Sequence, residues 1–462
     1  MNRKGTFKRL IVLGLSFLGL IFESCVYGWL WFARFYPSIN NSNRGLKFYV
    51  NGHLLILGIY LVLMLFFAST YGGLKIGYLK PMDVIISLIV ATLITDIITY
   101  FQLSLMNNWL LDAVWFLIMF GVQVVILIVW SLVCDKVYHR IYPPRKVLLI
   151  HADRPYGDIV NKLNSREDRF VVSKCIHINE GIEKIEDIID KEFHTILLWD
   201  IDTPSRNKLL KYCYSKSIRV YMMPKIPDVL VKGAETVHLF DTPLLLTRES
   251  ALSVEQRLTK RILDIVLSIL LLVIASPFML ITALAIKLYD RGPVFYKQIR
   301  CTAGGKEFKI LKFRSMKQDA EKDGVARLAS KNDSRITPVG KFIRATRIDE
   351  LPQLFNIFIG QMSFIGPRPE RPEIIAQYVE EMPEFVFRMK MKAGLAGYAQ
   401  VYGKYNTTPY DKLKLDLTYI ENYSIWLDIK LMLLTLKIIV KPESTEGVDN
   451  TQTTALKSTE EK

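Results

Sequence analysis

Four apolar stretches, residues 7–32, 48–70, 82–106 and 109–133, fill most of the first third of the chain. Each approaches or exceeds the ~20 residues that a helix needs to cross a bilayer. The first is too long, and too closely followed by others, to read as a cleaved signal peptide. A chain built this way is predicted to be a multi-domain membrane protein, with a four-helix transmembrane bundle over residues 1–140. Arg3, Lys4, Lys8 and Arg9 precede the first stretch, Lys75 and Lys80 separate the second from the third, and Lys136, Arg140, Arg145 and Lys146 follow the fourth. The connection between the third and fourth has no Lys or Arg, whereas the first outer connection carries Arg34, Arg44 and Lys47. On balance the positive-inside rule puts both ends of this unit in the cytoplasm.

The rest of the chain must then supply the chemistry. Of 462 residues, 50% are hydrophobic, and the formal net charge is +15, which favours anionic partners such as phospholipid headgroups or nucleotides. The charge is spread through membrane-flanking segments with no aromatic–basic platform, so a nucleic-acid partner is not expected. Five scattered cysteines form no CxxC pair, which fits a reducing compartment and, with six dispersed histidines, makes a zinc site improbable.

From Lys146 the pattern changes. KVLLIH, RFVVSKCIHI, HTILLWDID and IRVYMMP read as buried strands, with NEGIEKIEDIIDKEF as an intervening helix. The alternation predicts a Rossmann-like α/β domain over residues 145–250 with a small parallel sheet. Its first turn, HADRPYGD, lacks the GxGxxG phosphate cradle. A regulatory or structural module is the expected role, with cofactor binding the lesser alternative.

Residues 260–289 are apolar again, but Ser276-Pro277 interrupts the centre, with Lys260 and Arg261 on one side and Lys287 and Arg291 on the other. One reading is a fifth, Pro-kinked span. Strong basic flanks at both ends disfavour it. The other is a helix–break–helix that dips into one leaflet and returns, with Ser276 bonding back to a carbonyl at the bend. Re-entrance is the expectation carried forward. A basic domain follows, and the whole of residues 255–441 reads as one α/β domain with this helix. Residues 442–462 have almost no apolar anchor and are predicted to be disordered.

Four segments of this domain carry candidate chemistry. GPVFYKQIRCTAGGKEFKILKFRSM pairs two strand-like runs around a Gly-rich turn, and on a strand Lys312 and Arg314 would share one face. RIDELPQLFNIFIG places Pro352 in the first turn of a helix and Asp349 near its N-cap, with Glu350 beside it and Arg344 and Arg347 just upstream. A helix start attracts phosphate, and an Asp there could attack phosphorus as a nucleophile with Glu350 as base. In GPRPE, Pro367 and Pro369 restrain Arg368, a guanidinium suited to clamping a diphosphate. YDKLKLDLTYIENYSIWLDIKLMLLTLKIIV spaces Leu413, Leu417, Ile420 and Trp426 like a helix at a membrane interface, or one packed on the domain core. Each segment alone has a bland structural explanation: a solvated basic hairpin edge, an acid complementing a helix dipole, a rigid turn, a core helix.

Taken in order, KRILDIVLS, IASP, GPVFYKQIR, FKILKFRSM, IDELPQLFN, QMSFIGPRPE and LDLTYIENYSIWLDIK resemble the bacterial sugar transferase family, the monotopic phosphoglycosyl transferases that start lipid-linked glycan assembly. The resemblance covers residues 256–441, and the upstream spans and α/β domain resemble long-form members. It implies that Asp349 attacks the β-phosphate of a UDP-sugar, releasing UMP and leaving a sugar-phosphoryl enzyme. Undecaprenyl phosphate then takes the sugar phosphate, with Mg2+ near Asp349 and Glu350 assisting deprotonation. Lys312, Arg344 and Arg368 match positions that contact phosphates or the nucleotide; Arg314, Arg347, Pro367 and Pro369 are the neighbouring candidates for substrate binding. Ser276-Pro277 matches the break of a re-entrant helix.

The resemblance further implies a bacterial cytoplasmic membrane, with the catalytic domain on the cytoplasmic face, a role in exopolysaccharide, capsule or O-antigen assembly, and a possible homodimer. Lys392-Ala393-Gly394 stands where Arg-Pro-Gly is common, Tyr398 where Trp is common, and Thr302 where Gly is frequent. None touches the acid pair. The alternative from another class is a membrane-bound regulator or scaffold that binds a nucleotide without turnover.

Overall fold

The computed structural model describes residues 3–42, 49–247, 251–317, 333, 335–403 and 407–439. The predicted disordered tail, 442–462, lies outside these. The chain divides into two compact units, Met1–Pro224 and Lys225–Lys462.

The first unit opens with four long helices: α1 (Arg3–Leu30, continuing through a π-helical turn at Trp31–Phe35), α2 (Val50–Tyr71), α3 (Pro81–Met106) and α4 (Ala113–Ile141). By length and composition each is able to cross a membrane. Aromatic residues fill the space between them: Tyr27, Trp31 and Phe35 from the first segment meet Tyr60, Leu103, Phe116 and Met119 from the other three.

An α/β layer follows in the same unit: β1 (Arg145–His151), α5 (Gly157–Asn164), β2 (Phe170–His177), α6 (Ile182–Glu192), β3 (Thr195–Trp199), α7 (Thr203–Ser215) and β4 (Arg219–Met222). The strands are parallel in the order β2-β1-β3-β4, as the alternation predicts. Period-2 side-chain alternation sends Leu148, Ile150, Ile196 and Leu198 toward Ile185, Ile189 and Leu209. Val147, Leu149 and Leu197 face Ile159, Val160 and Leu163 on the other side. Burial on both faces is why these strands read as unbroken apolar runs.

In the second unit, α8 (Ile226–Lys232) packs Ile226 and Val229 into a core with Leu413 and Leu417, so this unit begins well before the long helix. That helix, α9 (Val254–Asp290), starts at a capping box of Ser253 with Gln256. It runs unbroken through Pro277, where a break is expected from the sequence. Losing one backbone donor leaves a single carbonyl to satisfy, and the Ser276 hydroxyl donates to Val273 O at 2.8 Å. Ser276-Pro277 is thus a proline held inside one helix.

Both ends of α9 are fastened to the same unit. Near its start, Lys260 pairs with Asp428 at 2.5 Å, Arg261 donates to Ile357 O and Phe358 O at 2.7 Å each, and Asp264 accepts from Ser363 Oγ and Phe364 N at 3.0 Å. At its end Asp290 pairs with Arg314, while Ala275, Met279 and Ile286 pack on Phe313 and Ile343.

The antiparallel hairpin β5 (Phe295–Cys301) and β6 (Glu307–Phe313) turns through Gly304 and Gly305, both at positive φ. Then come α10 (Pro338–Ala345), a 3-10 turn at Ile348–Glu350, α11 (Gln353–Ile359), β7 (Ser363–Ile365), α12 (Pro372–Glu381), β8 (Gly394–Ala396, parallel to β7), α13 (Pro409–Glu421) and α14 (Ile425–Ile439).

Candidate active site

The acid pair sits in the 3-10 turn between α10 and α11. Pro352 is the N-cap of α11, and Asp349 lies in the turn ahead of it, so the acid is placed by the turn and not by the helix cap that the sequence suggests. Arg347 enters the turn at φ +59, a left-handed conformation that costs a side-chain-bearing residue energy and occurs at functional sites.

Glu350 is the hub. Lys312, projecting from β6, donates to its Oε1 at 3.0 Å, and Arg368 Nη2 stands 3.8 Å from the same oxygen. Burial would raise the Glu350 carboxyl, but Lys312, Arg368 and Arg347 outweigh it and hold the group at about 2. Asp349 behaves oppositely. Burial, with Glu350 next door, lifts it to about 6 against the pull of Lys312, Arg344 and Arg347. Those residues therefore surround the pair, as the sequence suggests. Among the described residues nothing is hydrogen-bonded to the Asp349 carboxylate, which leaves its oxygens open to an electrophile or cation.

Arg314 is not brought to the pair. It follows the last residue of β6 and its guanidinium is buried against Asp290 at the end of α9. Its place is that of an anchor between hairpin and helix.

The Pro367–Arg368–Pro369 segment is fixed carbonyl by carbonyl. Pro367 O accepts from Gly394 N at 3.0 Å, Arg368 O from Arg388 Nη2 at 3.0 Å, and Pro369 O from Arg300 Nη1 at 3.2 Å. Just before it, a Cβ on Gly366 would lie 2.2 Å from Lys392 O, so only glycine fits there. Arg388 is held in turn by Asp416 of α13 at 2.7 Å, both side chains buried. Sequence reading missed Arg300, Arg388 and Asp416 as supports of the site. The available signal was Asp416 itself, an acid set within an otherwise apolar helical stripe.

No cluster of three or more His, Cys, Asp or Glu able to hold a metal occurs among the described residues. Mg2+ needs less: one or two carboxylates serve where substrate phosphates complete the octahedron. The open carboxylate of Asp349 meets that requirement.

Comparison with known proteins concerns the part of the chain that carries this site. The bacterial sugar transferase profile matches residues 255–442. A UDP-N-acetylgalactosamine-undecaprenyl-phosphate N-acetylgalactosaminephosphotransferase of Aeromonas hydrophila is 38% identical over 236 residues, 50% of this chain and 55% of that protein. A UDP-glucose:undecaprenyl-phosphate glucose-1-phosphate transferase of Escherichia coli is 42% identical over 211 residues, 45% of this chain and 44% of that protein. A protein of the same name from Caulobacter vibrioides is 38% identical over 192 residues, 40% of this chain and 72% of its own length. The chain spans about half the length of the first two relatives.

Proposed function

The chain belongs to the bacterial sugar transferase family, and from that premise we propose that it transfers a sugar 1-phosphate from a UDP-sugar to undecaprenyl phosphate with release of UMP. The observation that carries this reading is the convergence of Lys312 and Arg368 on Glu350 beside the open carboxylate of Asp349. Two cations from separate strands and loops form a cradle for a diphosphate, and a carboxylate at about 6 is mostly ionised near neutrality.

In the first step an Asp349 oxygen bonds to the β-phosphorus, and the bridging P–O bond breaks with its electrons leaving on UMP. In the second, an oxygen of undecaprenyl phosphate bonds to the same phosphorus and expels the Asp349 carboxylate. Asp349 would hold Mg2+, which when bound supplies countercharge to the diphosphate. Glu350 at about 2 is a poor proton acceptor while Lys312 and Arg368 hold it. A base role follows only when those cations turn to substrate phosphates, which raises Glu350. Before that its work is to aim them.

The placement of α9, one unbroken helix and not the helix–break–helix expected from the sequence, supports a helix whose two ends stay on one side of the membrane, here taken as the cytoplasmic face of a bacterial inner membrane. Lys260 at one end and Asp290 at the other both contact the same compact unit, whereas a straight crossing would put them on opposite sides of a bilayer. Val273, Phe278, Leu280 and Ile281, between them, are exposed and apolar. Exopolysaccharide, capsule or O-antigen assembly is the setting that fits such a lipid-linked product.

The test is the purified full chain with Mg2+, undecaprenyl phosphate and a panel of UDP-sugars, following UMP. We expect release with one sugar or a narrow set. A folded preparation that binds UDP-sugar and frees no UMP from any of them would leave the nucleotide-binding regulator as the reading.

A further inference from the structure

The four helices α1 to α4 enclose a polar cluster that contains no residue of the site described above. Each helix contributes: Glu23 and Tyr27 from α1, Tyr60 from α2, Asp96 from α3 and Gln123 from α4. Gln123 Nε2 donates to Tyr60 Oη at 2.7 Å and to the Glu23 backbone carbonyl at 3.4 Å. The Tyr60 hydroxyl donates to Asp96 Oδ1 at 2.9 Å, and the Tyr27 ring stacks on Tyr60 with centroids 4.1 Å apart. Glu23 and Gln123 are 0% exposed and Asp96 is 5% exposed.

The hydrogen-bond balance does not close. Among the described residues, both oxygens of Glu23, Oδ2 of Asp96 and Oε1 of Gln123 are buried acceptors without a donor, and the Tyr27 hydroxyl is also unpartnered. The Gln123 amide head is pinned inside the cluster by its own nitrogen, so its idle Oε1 lies there too. The helices supply little base: the sequence has no Lys, Arg or His from Leu10 to Ala33, or from Pro81 to Cys134. On α2, His53 accepts from Trp31 Nε1 at 3.0 Å. Acids buried among membrane helices are costly and mark functional sites. Two carboxyls with surplus oxygen acceptors and no basic partner demand a positive charge from elsewhere.

We propose that this cluster binds a small cation, a proton or an alkali metal ion, on the carboxyls of Glu23 and Asp96. Tyr60 and Gln123 are positioning residues that link the Asp96 carboxyl to the backbone of Glu23 across the four helices. The cation neutralises the pair and couples the packing of these helices to the ionic conditions of the membrane.

The test uses the full chain in detergent micelles. Thermal unfolding is followed from pH 7 to alkaline pH, above the titration of Asp349, in choline chloride, then again with NaCl or KCl replacing choline at constant ionic strength. A bound proton predicts that Tm falls by roughly 5 °C or more as pH rises, and that infrared spectra near neutrality show a protonated carboxyl. A bound alkali ion predicts a similar rise in Tm on adding Na+ or K+ without that carboxyl signal. In either case Glu23→Gln and Asp96→Asn should abolish the dependence. Because such variants can fail to fold, the wild-type measurements decide by themselves. A chain with no alkali-ion dependence and no protonated carboxyl overturns the proposal. So does a dependence that survives in both folded variants.

Discussion

Lys312 and Arg368, from a hairpin strand and a proline-flanked loop, stand 3.0 and 3.8 Å from one oxygen of Glu350. That shared oxygen keeps two mobile cations in register before any phosphate arrives. It also makes Glu350 a stabilising group. Its folded value of about 2 lies below its ordinary 4.5, so its contribution is present above pH 4.5 and lost as pH falls toward 2. Lys312→Met should leave the buried carboxylate short of a partner and cost about 2 kcal/mol near neutrality. Urea midpoints measured near pH 7 and pH 3 should show the gap between wild type and variant narrowing in acid.

Asp349 carries the opposite sign. Burial raises it from 3.8 to about 6, so folding favours its protonated form and the ionised acid weakens the fold as pH rises through that interval. Asp349→Asn should therefore abolish UMP release while raising stability by about 1–2 kcal/mol near neutrality, and by nothing below pH 4. Melting curves with a mass spectrum of the intact protein check both halves. A sugar-phosphate adduct on the Asn variant would sink the nucleophile assignment.

The same shift sets a rate profile. If the ionised carboxylate attacks, the initial rate of the wild type should fall about tenfold per pH unit once pH drops well below 6. Single-turnover UMP release across the acidic limb measures it. A flat limb would mean that another step or another group controls the rate.

Arg388 supports Arg368 through its backbone carbonyl at 3.0 Å and is held by Asp416 at 2.7 Å. Arg388→Lys keeps the charge and loses the rigid guanidinium plane whose Nη2 reaches both Arg368 O and Asp416. We expect KM for the UDP-sugar to rise about tenfold, a loss of about 1.4 kcal/mol, with kcat changed less. Asp416→Asn leaves buried Arg388 only its longer pair with Glu370 at 3.9 Å and should destabilise by about 2 kcal/mol. Equal effects on KM and kcat from Arg388→Lys would argue against a positioning role.

The proposal that both ends of α9 stay on the cytoplasmic face makes a topological prediction about Leu288, which is 81% exposed near the end of the helix. In Leu288→Cys, with the other cysteines replaced, an impermeant thiol reagent should label inverted vesicles and spare intact cells lacking their outer barrier. Labelling in the intact cells would mean that the helix crosses.

The apolar stretches, the parallel α/β alternation, the acid pair and the restrained arginine are legible in the amino-acid sequence alone. Each of these is a local property, set by residue type and period along a short run. Tertiary structure decided which charges meet. Lys312 and Arg314 are two residues apart, yet one reaches Glu350 and the other Asp290, because β6 ends at Phe313 and the chain then turns toward α9. It decided that Pro277 stays inside a helix, since one serine hydroxyl meets a carbonyl there. It also gathered Glu23, Tyr60, Asp96 and Gln123 from four helices into one core. Helical period places each of them on a face, but only the packing of those faces shows that two acids are buried together without a base.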